Sequence, residues 1–328
     1  MRNRELRVIW GASHVYQACF LGTYLAQPAQ SRPFDNLARP TTGIGQGLPS
    51  GNSSPSPAWA RLPPAIQRTY DRPGMETDPQ ALDAELVADD YSYLLPDHWI
   101  LPRTQKDSTF TVVHEVYVRR VVELIRQSGA RTVLEAGCGD GWNCGKLVEV
   151  GLAVVGVDWS HNGIEHARRM VRGARFYCGD VRDAGFRREF SDLFDAAIFV
   201  EVLEHIPPND CIQAIRNIAS LVKPGGLLVL TTPSVNTPNT NPQHYRHFDE
   251  PTLRELIAEA GELSIEAIEG YGNVPLAARH WRIRRWFDNR YWTIKPARKW
   301  LVDRYAARCA GTPLDVCEGL ILTMRKTR

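Results

Sequence analysis

Net charge is almost absent from this chain: 39 Lys and Arg against 37 Asp and Glu leave +2 over 328 residues, so no global field advertises a nucleic-acid partner. Paired cysteines are missing too. The seven cysteines, at 19, 138, 144, 178, 211, 309 and 317, are odd in number, scattered and without metal-ligand spacing, which argues for a reducing, cytoplasmic setting. Long apolar runs are also lacking. The most apolar early stretch, 8–26, is broken by His14, Tyr16 and Gln17, which makes it too polar for a membrane span and a poor export signal in spite of Arg2, Arg4 and Arg7. Large apolar residues are scarce over 30–64, where Pro, Gly, Ser and Ala dominate, so this segment buries too little surface to offset its ordering entropy. Residues 1–90 are therefore expected to form a largely disordered leader. No periodic pattern precedes Met75, which makes that residue an alternative natural start.

What is present is concentrated in the fifteen residues 132–146, TVLEAGCGDGWNCGK. A short apolar run of strand type is followed by Gly137, Gly139 and Gly141 at every second position, and then by a helical pattern. Glycine there permits positive φ and a close approach of ligand to main chain, and the next helix aims its free N–H groups at the same spot. The dinucleotide fingerprint needs a third glycine three residues after the second; that position is Trp142, so the NAD spacing fails.

Further strands and signals follow in order. A buried run over 153–157 ends in Asp158, with Trp159 beside it. A third, 174–178, runs into Gly179, Asp180 and Val181, and a fourth, 194–200, leads into Glu201-Val202-Leu203-Glu204-His205. Lys223-Pro224-Gly225-Gly226 then introduces a fifth. This succession, with acidic Glu135 ahead of G-x-G-x-G, resembles the class I S-adenosylmethionine-dependent methyltransferases. It is similar to the ubiquinone-biosynthesis O-methyltransferase group over about 132–261.

The resemblance implies S-adenosylmethionine as cofactor. It places Glu135, Gly137, Gly139, Gly141, Asp158, Trp159, Asp180, Val181 and Glu201 around it, with Asp158 on the ribose hydroxyls and Asp180 on the adenine amino group. It also implies an α/β fold, a doubly wound Rossmann-like seven-stranded sheet whose last strand is antiparallel. Alternation of strands with helices read at 112–127, 142–150, 162–171, 210–222 and 251–260 points to the same parallel architecture. The methyltransferase domain is read over 91–328, with a cofactor-binding core at 112–270, an insert at 271–316 and a final strand at 317–326. Residues 91–110, with Tyr93, His98 and Trp99, are read either as a cap over the cofactor or as packing against a sheet edge.

The insert stands apart. Between 279 and 308 there are ten Lys or Arg against two Asp, a local balance of +8, with Trp281, Trp286, Trp292 and Trp300 interleaved. Three readings stand open: a helical lid whose tryptophans pack on the sheet, a peripheral membrane or anionic-substrate surface, and a nucleic-acid surface.

Methyl transfer from a sulfonium depends mainly on alignment in a dry site, and a hydroxyl acceptor must also lose its proton. His205 is the first choice of general base, with Glu204 and His247 beside it, because an imidazole titrates near working pH. Glu201, Glu204 and His205 lie at i, i+3 and i+4 and, with His247, could bind magnesium. The pattern E-x-x-E-H also resembles the small-RNA 2′-O-methyltransferases, where it implies that metal, although many methyltransferases carry it without one. The expected function is methyl transfer to a small-molecule or lipid- or glycan-linked acceptor, at a hydroxyl oxygen. The alternatives are a metal-dependent RNA 2′-O-methyltransferase and a non-catalytic cofactor-binding regulatory protein.

Overall fold

The computed structural model describes residues 93–104, 108–288 and 291–327. The leader read over 1–90 lies outside the described residues. Two helices open the described chain, α1 (Asp97–Thr104) and α2 (Thr109–Gln127). Ser108 caps α2 by accepting the Thr111 N–H, and Val113, Tyr117, Val121 and Ile125 form the buried stripe that the 3.6-residue period requires.

Strand and helix then alternate: β1 (Thr132–Ala136), α3 (Trp142–Glu149), β2 (Ala153–Asp158), α4 (His161–Met170), β3 (Ala174–Cys178), β4 (Phe194–Val200), α5 (Cys211–Ser220), β5 (Val222–Pro233), α6 (Glu250–Ala260) and β6 (Leu263–Tyr271). Ser160 caps α4 by accepting the Gly163 N–H. At α6, Asp249 accepts the Thr252 N–H and Gly261 ends the helix at φ 90°, a conformation that favours glycine. A helical hairpin follows, α7 (Val274–Phe287) and α8 (Lys295–Ala306), then a short β7 (Ala310–Thr312) and the closing β8 (Gly319–Lys326).

The sheet order is β3-β2-β1-β4-β5-β8-β6-β7. Pairings from β3 through β5 are parallel, and β8 inserts antiparallel between β5 and β6. The doubly wound reading holds, with one correction: the sheet has eight strands rather than seven, because Thr312 and Ala310 pair with Gly270 and Tyr271 at the far edge. Three residues without an apolar alternation carry no periodic strand signal.

Side chains of the central strands alternate between two cores. Ala197 and Phe199 of β4 pack with α5 and α6 residues such as Ile215, Ile218 and Leu253. Ala196, Ile198 and Val200 face the other side, with Val121 and Ile125 of α2 and Leu147 of α3. Helices on both faces leave the carboxyl ends of the strands as the open edge, and the chain order reverses there between β1 and β4. A ligand in such a sheet sits at that edge.

Candidate active site

The β1–α3 turn is drawn back onto β2. The N–H groups of Gly137 and Cys138 both donate to Val157 O, at 2.7 and 3.0 Å. The Gly139 N–H donates to Asp158 Oδ2 at 2.7 Å, and the other oxygen, Oδ1, accepts the Ser160 N–H at 2.8 Å. Asp158 thus fixes the glycine turn and the start of α4 at once. Gly139 has φ 48°, and a Cβ there would run into the Tyr93 ring, so glycine serves both the backbone twist and the close approach of the cap.

That cap is the segment 93–104. His98 Nδ1 lies 3.2 Å from Asp140 Oδ1, the His98 N–H donates to Asp140 Oδ2 at 3.1 Å, and Trp99 Nε1 donates to the Asp140 carbonyl at 3.0 Å. His166 Nε2 meets the Tyr93 carbonyl at 3.0 Å. Burial alone would lower the His98 pKa, but the Asp140 carboxylate beside it holds the pKa above the usual histidine value. His98 also stacks on His114 at 5.4 Å, and His114 meets Tyr117 edge-on at 5.1 Å. Burial holds His114 neutral, with its pKa lowered to about 3. Of the two readings of 91–110, the contacts of the described residues with the glycine turn favour the cap.

Beneath the turn, Glu135 is fully buried. One of its oxygens, Oε1, accepts from Asn143 Nδ2 at 2.9 Å, while Oε2, with Asn143 Oδ1, finds no hydrogen-bond partner. Desolvation raises the Glu135 pKa to about 7, and Asp158 and Asp140 add to the effect. Buried, unpaired acceptors ringed by acids suit a cationic group and oppose a pyrophosphate. Cys138 sits in the same turn, its thiol pushed by burial to about 11, which makes it unreactive.

Across the cleft, Glu201 has the only positive φ of a non-glycine residue among those described, 54°. The Tyr271 hydroxyl donates to its Oε1 at 2.7 Å, and Thr231 Oγ1 donates to the same oxygen at 2.8 Å. Burial raises both the Glu201 and Glu204 carboxyls above the usual range, Glu204 further because Glu201 lies beside it. His205 also lines the cleft. Burial lowers its pKa to about 4, well below the near-neutral titration expected of it from sequence, so it is unprotonated but a weak base near pH 7, and its Nδ1 has no hydrogen-bond partner.

Several residues expected at the site stand elsewhere. Gly137, Gly139, Asp158, Trp159, Val181 and Glu201 line the cleft. Gly141 instead starts α3, and a Cβ there would meet Ala167 at 2.8 Å. Asp180 gives its carboxylate to Arg182, which grips both oxygens at 2.8–3.0 Å. Glu204 is buried under the cleft and holds Thr232 Oγ1 at 3.1 Å. His247 lies a layer back, between His244 Nδ1 at 3.0 Å and the Thr237 carbonyl at 2.8 Å.

The cluster with metal-ligand geometry among the described residues is therefore Glu204, His205 and His244, whose ligand atoms lie within 4.8 Å of one another. It replaces Glu201 and His247 in the expected set by His244. Tyr117, Asn143, Thr231 and Tyr271 were not read from sequence. Tyr117 had its helical phase as a signal, and Tyr271 had none, because it arrives from a strand seventy residues away.

A doubly wound sheet, a glycine turn at its switch point and an acid-lined cleft beside a neutral buried histidine define a cofactor-binding enzyme of the α/β class. The sequence model of the family described as "Methyltransferase domain" matches residues 112–261. A Mycolicibacterium smegmatis protein named "Probable S-adenosylmethionine-dependent methyltransferase" is 31% identical over 181 residues; the match spans 51% of this chain but 65%, just under two thirds, of that relative. The ubiquinone biosynthesis O-methyltransferase of Coxiella burnetii is 30% identical over 222 residues, which cover 62% of this chain and 91% of that protein. The solved magnesium protoporphyrin IX methyltransferase from Synechocystis PCC 6803 aligns at 20% identity and a TM-score of 0.48, over 75% of this chain and 98% of that one. The chain belongs to the S-adenosylmethionine-dependent methyltransferases.

Proposed function

We propose that this chain methylates a hydroxyl oxygen of a small-molecule or lipid- or glycan-linked acceptor. The observation that carries the reading is the neutral His205 imidazole, buried in the same cleft as the glycine turn. S-adenosylmethionine, when bound, supplies an electrophilic methyl group on a sulfonium. The residues of the turn fit it: Glu135 Oε2 and Asn143 Oδ1 are unpaired buried acceptors that would receive the ammonium, and Asp158 would receive the ribose hydroxyls. His205 would take the acceptor's proton as the oxygen displaces the methyl group from sulfur, the C–O bond forming while the C–S bond breaks and S-adenosylhomocysteine leaves. His114 and Tyr117 of α2, with His98 of the cap, keep water away from the reacting atoms. The O-methyltransferase relative supports oxygen over nitrogen or carbon.

Titrating S-adenosylhomocysteine calorimetrically into the wild type and Asp158→Ala, followed by transfer of a labelled methyl group to phenolic and sugar hydroxyls by the wild type and His205→Gln, tests this reading. Binding that is lost in Asp158→Ala, with turnover lost in His205→Gln, is the expected result. An absence of binding to the wild type would overturn the cofactor assignment, and undiminished turnover by His205→Gln would overturn the assigned base.

One observation favours a refinement: Glu204, His205 and His244 could hold a divalent cation such as magnesium. Coordination would then occupy His205 and make the metal, not the imidazole, the group that activates the hydroxyl. Turnover abolished by chelator and restored by magnesium is expected on that reading, and indifference to chelator removes it.

A further inference from the structure

The α7–α8 hairpin leaves the sheet at the open edge. It begins after Tyr271, the last residue of β6, whose hydroxyl reaches Glu201 in the cleft. One face of the hairpin is packed: His280, Leu301 and Tyr305 are buried, and the Tyr305 hydroxyl donates to Glu318 Oε1 at 2.9 Å. The lid reading placed the tryptophans on this face. They are on the other one.

Trp281, Trp286, Tyr291, Trp292, Ile294 and Trp300 are all exposed, Trp286 to 77% and Tyr291 to 70%. In α7 the outward positions 281, 282, 285 and 286 carry Trp, Arg, Arg and Trp along one stripe. The Ile294 N–H donates to the Phe287 carbonyl at 2.8 Å, and Trp292 Nε1 donates to the Trp286 carbonyl at 3.1 Å. Both acids of the 279–308 stretch are engaged within the hairpin, Asp288 with Arg284 at 2.9 Å and Asp303 with Lys299 at 2.6 Å. Arg279, Arg282, Lys295 and Arg308 of the same stretch are also exposed. Six exposed large apolar residues in one place exceed what a solvated surface carries without a partner.

We propose that this face docks on an anionic phospholipid bilayer, with the indole rings at headgroup depth and the basic side chains on lipid phosphate. Charge complementarity decides the occupant. A second copy brought face to face would oppose two positive surfaces, and the aliphatic Ile294 with outward-pointing rings on convex helices offers no groove for stacked bases. A bilayer accepts tryptophan at its interface and attracts each nearby cation by about 1 kcal/mol, which is about fivefold in partition. None of the helices among the described residues is long and apolar enough to cross a membrane, so the contact is peripheral. Docking at this edge turns the cleft, through Tyr271 and Glu201, toward material held in the bilayer. The inference goes beyond the methyl-transfer reading and does not depend on it.

The test is co-sedimentation of the full chain with vesicles of phosphatidylcholine alone and of phosphatidylcholine mixed with phosphatidylglycerol, with tryptophan fluorescence followed in parallel. The variants are Trp286→Ser with Trp300→Ser, and Arg279→Gln with Arg282→Gln and Lys295→Gln; all five positions are exposed, and S-adenosylhomocysteine binding and thermal melting report separately on the fold. Salt-sensitive binding to the anionic vesicles with a blue-shifted emission is expected, lost in the tryptophan variant and weakened about fivefold per basic residue in the other. Failure of the folded wild type to bind either vesicle overturns the proposal, as does equal binding to both. Self-association abolished by the tryptophan variant, or salt-sensitive binding of a short RNA, each without vesicle binding, would overturn it in favour of that other partner.

Discussion

The Tyr271 hydroxyl donates to Glu201 Oε1 across 2.7 Å, joining the end of β6 to the residue that follows β4. Glu201 is held in a left-handed conformation, φ 54°, that an L-residue adopts only under constraint, and Tyr271 supplies part of that constraint. Tyr271→Phe removes one hydrogen bond to a buried acid, a loss of about 1.5–3 kcal/mol. The expected result is a fall in kcat of about tenfold or more, with cofactor affinity changed by less than about twofold. Steady-state kinetics beside calorimetry would show whether the two separate; parallel losses would mean that Tyr271 only supports the fold.

Asp158 accepts the Gly139 and Ser160 N–H groups at 2.7 and 2.8 Å. Asp158→Asn keeps the shape but presents an amide NH2 where an acceptor was needed, leaving at least one buried N–H unpaired. S-adenosylhomocysteine should bind about thirtyfold more weakly or worse, as read by titration calorimetry. Unchanged affinity would disconnect Asp158 from the cofactor.

Glu135 titrates at about 7 because it is desolvated beneath the turn. A cationic ammonium prefers the ionised carboxylate, so cofactor affinity should rise with pH through about 7 and then level off. A proton should be released on binding below that pH. Calorimetry in buffers of different ionisation enthalpy measures the proton count, and in Glu135→Gln the count near pH 7 should drop to zero.

His280 is buried against the Tyr305 ring, 4.7 Å between centroids, and burial lowers its pKa from 6.5 to about 4. Between those values the unfolded chain binds the extra proton and the native chain does not, so this residue's contribution to stability rises with pH across the window and is lost on acidification. Relative to His280→Phe, the wild type should lose about 3 kcal/mol between pH 6.5 and 4. Denaturant melts of both proteins at several pH values would reveal it, and a gap independent of pH would contradict a neutral buried imidazole.

The cofactor half of the site was legible because its signals are local. Gly137 and Gly139 shape a turn between adjacent elements, and Asp158 ends the strand hydrogen-bonded beside it, so order along the chain nearly equals order in space. The acceptor half was not. His205, read as the base, lines the cleft, yet His247, named with it, is screened by His244, because the 237–248 segment folds back on itself in a way that no periodicity encodes. Asp180 looked available until Arg182, two residues on, closed over it.

By itself the sequence determined the alternation of β1 through β5 with their helices, the glycine turn and the failure of the NAD spacing, since each follows from steric and hydrogen-bond rules acting over a few residues. It also determined that residues 279–308 carry tryptophan and arginine together. Tertiary structure alone decided which face of α7 and α8 those tryptophans occupy, that Tyr271 reaches Glu201, and that Ala310–Thr312 adds an eighth strand. Those outcomes depend on which surfaces are left over once the two apolar cores have closed, and that is a property of the whole packed chain rather than of any window within it.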